Sequence, residues 1–405
     1  MAAVCLQALC GSLPEPRRAE LRVIKQPADG SILDQGLVLW FPSPRSYTGQ
    51  DVAEFHLHGG RAVVQAMIDA LAGKGARYAE AGEFSRRAFL NGKLDLTQVE
   101  GLADLLAADT ESQRIQAVAQ VQGALAQRAE GWRAAILGLR AEIEARLDFS
   151  DEGDVPDALP GQFWSAVDEA RQEMEQTLAE AESGIRTRDG FRVAILGRPN
   201  AGKSSLLNVL SRQDIAIVTE EPGTTRDILE VPLDLDGRSI VLFDTAGLRE
   251  TTSVAEREGV RRSITAAGRA DLVLWLEDCR NAPEPIPLET PAQVWRVRTK
   301  VDLRTATEGD DLMVSALSGA GIPRLIECLK TSAEGAQVRC ALITRHRQQA
   351  AVQDAASALA SVRHVPEDVA ADLLRSAGDA IGRLTGRIGV EDVLDRLFGE
   401  FCIGK

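Results

Sequence analysis

From Leu94 to about Leu147 apolar residues recur every three or four positions, and Trp132, Ile136, Leu139, Ile143 and Leu147 fall on one stripe. That is the period of a helix with one buried face. The stripe stops in the acidic, proline-punctuated stretch Asp148–Pro160 and resumes through Trp164, Val167, Met174, Leu178, Ala181 and Ile185. Helical spacing returns near Arg345 and continues through Leu359, Leu373, Ile381, Leu384, Val393 and Leu397. Between these regions stand short unbroken apolar runs, Phe191–Leu196, Ile240–Phe243 and Val294–Val297, which read as strands, the first suited to a buried parallel sheet. The N-terminal part differs again. Strands are predicted there at Gly36–Phe41 and Val52–His58, with turns at Pro42-Ser43-Pro44 and Gly59-Gly60.

Gly197-Arg198-Pro199-Asn200-Ala201-Gly202-Lys203-Ser204 follows the first interior strand and precedes a predicted helix from Ser205 to Leu210, so G-x-x-x-x-G-K-[ST] stands in its strand–turn–helix setting. Successive backbone N–H groups of such a loop, through Ala201, Gly202 and Ser205, face phosphate oxygens; Lys203 reaches the β/γ phosphates and the Ser204 hydroxyl is placed to ligand Mg²⁺. Asp244-Thr245-Ala246-Gly247 closes the run Ile240–Phe243, which puts a carboxylate near the metal and a glycine N–H near the γ-phosphate. Thr299-Lys300-Val301-Asp302 follows Val294–Val297, and Ser315-Ala316-Leu317 supplies a loop that can support a base. A carboxylate at 302 can accept from both N1–H and the 2-amino group of guanine, a donor pair adenine lacks, so GTP is expected rather than ATP. The usual first residue of that motif is Asn. Thr299 keeps a hydroxyl but lacks the amide, which leaves Asp302 to carry the base assignment.

Ras-type GTPases place a water-orienting glutamine after Asp-Thr-Ala-Gly, whereas this chain has Leu248. Two residues offer replacements. The side-chain oxygen of Asn200 can hold a monovalent cation against the phosphates, and Glu256 lies in the segment Arg249–Gly259. Each also has a plain reading, as a turn residue and as a solvated helix charge. The architecture expected is multidomain: an α+β N-terminal domain (1–92), an all-α helical domain in two parts (93–188 and 335–405), and an α/β P-loop GTPase domain (189–334) inserted between those parts.

Composition narrows the setting. Hydrophobic residues make up 44% of the chain and aromatics 4%, so the cores are built from Ala, Leu, Val and Ile. No run approaches the apolar length of a membrane span and the N-terminus lacks a basic flank, which points to a cytoplasmic protein with no membrane partner. Six cysteines without C-x-x-C spacing and four scattered histidines give no zinc signature, and reduced thiols are expected. A net charge of −14 argues against nonspecific coating of nucleic acid, so any RNA contact is local or carried by a partner.

The loop with Asn200, Gly223-Thr224-Thr225-Arg226-Asp227, Asp244–Leu248 with Arg249-Glu250, and the ending Phe401-Cys402-Ile403-Gly404-Lys405 together resemble the MnmE (TrmE) family of tRNA modification GTPases. The likeness extends to Asp51–Gly60 and Gly82–Leu96 and spans nearly the whole chain. It implies a homodimer that works with an MnmG-type FAD protein, as a heterotetramer, to place a carboxymethylaminomethyl or aminomethyl group on carbon 5 of the wobble uridine of tRNA. The one-carbon unit would come from 5-formyl- or methylene-tetrahydrofolate. By motif matching, Glu54 and Lys93 would contact the folate with Lys405 nearby; Asn200 and the carbonyls of Thr219, Glu221 and Thr224 would ligand K⁺; Ser204 and Thr225 would hold Mg²⁺; and Glu256 would orient the water indirectly. Cys402 is either a packed thiol or a functional group near the modification site, lysine being the wrong last residue for prenylation. The resemblance implies an opening strand and turn that lead into the first helix, which Met1 enters partway; either Met1 is not the true start, or weak folate binding and weak dimerisation are expected. The alternative is an Era-like RNA-binding, ribosome-assembly GTPase, against which the mixed-charge helical stretch 345–405 stands in place of a basic RNA-binding module.

Overall fold

The computed structural model describes residues 1–148, 159–213, 229–244, 267–268, 270–303, 312–334, 341–389, 391–399 and 401. The N-terminal elements are α1 (Ala2–Cys10), β1 (Glu20–Lys25), β2 (Ile32–Phe41), β3 (Val52–His56), α2 (Arg61–Ala72) and α3 (Glu83–Leu90). The three strands form an antiparallel sheet in the order β1-β2-β3. Ile24 and Val38 point inward from it onto Cys5, Leu6 and Leu9 of α1 and Met67 and Ala70 of α2. Strand β1 escapes the sequence pattern because Ile24 is its one buried residue, while Leu21 and Val23 are exposed. Strand β3 stops two residues before the expected His58, whose backbone N–H donates to Asp34 Oδ2 at 2.9 Å instead of joining the ladder. Where β2 passes the end of β3, Gly36 is required: a Cβ there would lie 2.1 Å from the His56 carbonyl oxygen.

The Leu94–Leu147 stretch forms not one helix but three, α4 (Leu96–Leu106), α5 (Glu111–Val121) and α6 (Ala124–Asp148). The cuts are chemical. Thr110 and Gln113 make a reciprocal capping box that starts α5, and Gly123 takes a φ of 86° before α6. Trp132, Ile136, Leu139 and Ile143 are buried as the stripe predicts, while Leu147 is 37% exposed. The next stretch divides into α7 (Gly161–Ala179) and α8 (Ala181–Asp189). Val167, Met174, Ala181 and Ile185 are buried as the stripe predicts, but Phe163 is buried in place of Trp164, which lies at the rim edge-on to Phe163 at 5.1 Å and beneath the Arg363 guanidinium at 5.2 Å.

The interior strands build a six-stranded sheet from β4 (Phe191–Gly197), β5 (Leu229–Leu235), β6 (Arg238–Asp244), β7 (Leu272–Asp278), β8 (Gln293–Thr299) and β9 (Leu312–Met313), in the order β5-β6-β4-β7-β8-β9. All neighbours are parallel except β5, which runs back along β6 as a hairpin. Helix α9 (Lys203–Leu210) follows β4, and α10 (Ile322–Glu334) follows β9. Every residue of β7 is buried, as a central strand between covered faces requires. The C-terminal helices are α11 (His346–Val362), α12 (Glu367–Thr385) and α13 (Glu391–Gly399). The described residues of Met1–Ala103, Ala126–Glu130 and Ile381–Lys405 form one compact unit, and those of Asp104–Leu125 and Gly131–Ala380 a second. In the first, Leu394, Leu397 and Phe398 of α13 pack with Leu96 and Val99 of α4. In the second, Arg146 pairs with Glu367 at 3.0 Å and Arg363 with Asp168 at 2.8 Å, pinning α11 and α12 to α6 and α7.

Candidate nucleotide site

Strand β4 lies between β6 and β7, so chain connections leave to opposite sides of it and a crevice opens beyond its C-terminal end, where open α/β sheets bind ligands. Gly197 closes β4 with a φ of 145°, and a Cβ on it would stand 2.3 Å from the Leu276 carbonyl oxygen. Only glycine permits so close an approach to β7. The loop then turns through Asn200, at a φ of 62°, and Gly202, at 90°, into the first turn of α9. Asn200, Ser204 and Ser205 are exposed there, while Ala201 is buried and anchors the loop from below. Lys203 curls over the loop, its Nζ donating to the carbonyls of Gly197 and Arg198 at 2.9 Å each. An ammonium already positioned above these carbonyls is placed for phosphate oxygens, and the exposed Ser204 hydroxyl at a helix start fits a magnesium ligand.

The second half of the site comes from the ends of β7 and β8. Thr299 is 4% exposed, and its hydroxyl donates to the Ala201 carbonyl at 2.7 Å, with the Glu277 carbonyl 3.2 Å away. Lys300, at a φ of 58°, sends its Nζ to the Asn200 carbonyl at 2.7 Å and to Asp278 Oδ2 at 3.0 Å. The phosphate loop is thus braced from β8 at two carbonyls. Arg280 beside Asp278, seconded by its own backbone N–H and by Lys300, holds that carboxyl well below the usual carboxylate range. Asp302 sits in a single 3₁₀ turn, Val301–Leu303, with one oxygen accepting from the Ser315 hydroxyl. Fully buried Ser315 also accepts from the backbone N–H groups of Leu317, at 3.2 Å, and Ser318, at 3.1 Å. A cleft of about 330 Å³ opens between Asp302, Thr299, Ala316 and Leu317, large enough for a purine. Leu317 is 88% exposed at its rim, the setting of a side chain that covers an apolar ring.

Sequence reasoning missed the network behind this wall. Arg298, 6% exposed on β8, donates to Glu277 at 3.0 Å and to the carbonyl oxygens of Cys279, at 3.1 Å, and Asn281, at 2.5 Å, fixing the loop that flanks the phosphate turn. The available signal was the charge pair in two otherwise apolar runs, Glu277-Asp278 after Leu272–Leu276 and Arg296 and Arg298 around Val297. Asp244 ends β6, in register with Ile195 of β4. Thr219, Glu221, Thr224, Thr225, Thr245, Ala246, Gly247, Glu256, Cys402 and Lys405 lie outside the described residues. Of the residues matched to folate, Glu54 is exposed on β3 with His56 Nε2 at 3.6 Å, and Lys93 follows α3 with its Nζ donating to the Pro44 carbonyl at 3.2 Å.

Fold and site together define a P-loop GTPase carried within a helical protein. The family model described as the MnmE helical domain matches residues 96–402, and that described as the GTP-binding protein TrmE N-terminus matches residues 1–93. The tRNA modification GTPase MnmE of Azorhizobium caulinodans is 50% identical, over 98% of this chain and 92% of its own length. That of Rhizobium meliloti is 49% identical over 98% and 92%. Among solved structures, the G domain of the T. maritima FeoB iron transporter aligns with 35% of this chain and 98% of its own at 26% identity, with a TM-score of 0.28, too low to add to the argument. The chain belongs to the MnmE family of tRNA modification GTPases.

Proposed function

We propose that this GTPase hydrolyses GTP with K⁺ in place of a protein arginine or glutamine, and that with an MnmG-type flavoprotein it modifies carbon 5 of the tRNA wobble uridine using a tetrahydrofolate one-carbon unit. The observation that carries the catalytic part is the pairing of Asn200, exposed and turned outward by its left-handed backbone, with leucine at position 248. A leucine neither donates to nor accepts from water, so charge stabilisation must come from elsewhere. Bound beside Asn200 and the carbonyls of Thr219, Glu221 and Thr224, K⁺ would supply positive charge against the phosphates as it develops in the transition state. Ser204 and Thr225 hold Mg²⁺ in this reading, Lys203 and the loop N–H groups orient the phosphates, and Glu256 positions the attacking water. Glu54, Lys93 and Lys405 serve the folate, and two chains form the working dimer.

Turnover in matched K⁺ and Na⁺ buffers tests the catalytic part. Rates several-fold higher in K⁺ are expected, and equal rates would sink the idea. Asn200→Ala should lose the K⁺ response while still binding nucleotide. Glu256→Ala should keep GTP affinity and lower turnover by about 10²–10³-fold, the usual effect of removing one catalytic contact. For the tRNA part, affinity capture of the chain together with nucleoside analysis of wobble uridines in a deletion strain should recover a flavoprotein partner and show loss of the carbon-5 group. Unchanged nucleosides would refute that assignment.

A further inference from the structure

We propose that Thr299 braces the phosphate loop and leaves N7 of the guanine unread, so that among the described side chains Asp302, at the N1/2-amino edge, selects the base. The proposal rests on the cleft beside Asp302 being the guanine site. Guanine offers two kinds of handle: donors at N1 and the 2-amino group, which suit a carboxylate, and acceptors at O6 and N7, which need a protein donor. A threonine hydroxyl has a single proton. Here that proton is directed at the Ala201 carbonyl at 2.7 Å, and the next nearest partner, the Glu277 carbonyl at 3.2 Å, is also an acceptor. What the hydroxyl has left is lone pairs, which repel N7 rather than bind it. Among the described residues of the lining the one ammonium, that of Lys300, is drawn toward the Asn200 carbonyl and Asp278. Ser205, the other hydroxyl among the described residues of the lining, is on the first turn of α9, two residues from Lys203. An asparagine at 299 would carry two protons on one nitrogen and could serve the loop carbonyl and N7 at once; threonine has to choose, and two backbone carbonyls already lie within reach of its proton.

Asp302 then makes the side-chain choice between guanine and other bases, and Ser315 becomes a specificity element because it fixes the carboxylate's direction. The test compares GDP with 7-deaza-GDP, in which C–H replaces N7, by calorimetric titration of the full chain with Mg²⁺. The wild type should bind the two within about twofold. Thr299→Asn should acquire a preference for GDP of about threefold to tenfold, the effect of one neutral hydrogen bond. Thr299→Val, which removes the brace, should weaken both ligands by the same factor. A wild-type loss of tenfold or more with the 7-deaza ligand overturns the proposal whichever side chain proves responsible, and so does a Thr299→Asn variant that binds both ligands alike. Asp302→Ala separates this from the underlying reading: if it leaves GDP affinity unchanged, the guanine site itself is misplaced.

Discussion

Gly197 and Gly321 mark positions where one methyl group decides whether the site can form. A Cβ on Gly321, at a φ of 74°, would fall 1.8 Å from the Met313 carbonyl, and one on Gly197 would meet Leu276 at 2.3 Å. Both contacts are with backbone, which cannot swing aside as a side chain can. Gly197→Ala should therefore cost about 1–3 kcal/mol of stability and weaken GDP binding by more than tenfold, because the strain is relieved only by moving the phosphate loop. Denaturant unfolding and a GDP titration on the same variant check both halves. Retained affinity with normal stability would show that β4 and β7 can separate without disturbing the loop.

Asp104, at the end of α4, acts at the level of elements. Its Oδ1 accepts from Arg188 Nε at 2.8 Å, in the last turn of α8 before β4, and from Arg345 Nη2 at 2.5 Å, just before α11. One carboxylate therefore holds both passages of the chain into and out of the segment bearing the sheet. Gln113 adds a bond from its Nε2 to the Arg188 carbonyl at 3.0 Å, and the Ser112 N–H reaches the Gly237 carbonyl in the β5–β6 turn at 3.2 Å. With Asp104 11% exposed, Asp104→Ala removes the carboxylate that Arg188 and Arg345 share, leaving Arg188 with Asp189, and should cost on the order of 2 kcal/mol. The exposed i,i+3 pair Arg114–Glu111 is the contrast, and Arg114→Ala should leave stability close to that of the wild type, because solvent screens such a pair. Equal effects in urea unfolding would contradict this ranking. Glu83 at the start of α3 adds a pH signature. Arg77 first, then the Glu80 N–H and Arg87, lower its pKa from 4.5 to about 2. Since the folded value is the lower, its contribution is complete above about pH 4.5 and is lost as pH falls toward 2. The stability gap between wild type and Glu83→Gln should accordingly narrow across that window, and a gap that is flat with pH would remove the cause.

Across the whole molecule, the division into two compact units makes nucleotide linkage selective. The phosphate loop and the Asp302 cleft belong to the second unit, so GDP bound at about a hundred times its Kd should stabilise that unit by about 2.7 kcal/mol. Calorimetry with and without GDP and Mg²⁺ should show one transition raised and the other unmoved. A single transition that shifts as a whole would mean that the units unfold together. Among the described residues no helix is long and apolar enough to cross a membrane.

Local signals determined what the sequence could determine. The phosphate loop, the strand before it and the helix after it are contiguous, so glycine spacing and an apolar run were enough to place Asn200, Lys203 and Ser204 together. Asp302 and Ser315 were legible for a similar reason, each sitting at the end of a short run. Long helical periodicity was legible in kind and mostly in register, but a stripe counted every three or four residues tolerates a local one-residue slip, and packing chose Phe163 over Trp164 and Leu374 over Leu373. Tertiary structure alone decided the rest. Asp104, Arg188 and Arg345 are far apart in the chain and are each ordinary surface charges until three elements bring them together. The same holds for Thr299. Its place in the motif was plain, but whether its one proton faces a base or a backbone carbonyl depends on how closely β8 approaches Ala201, a distance that no local pattern encodes.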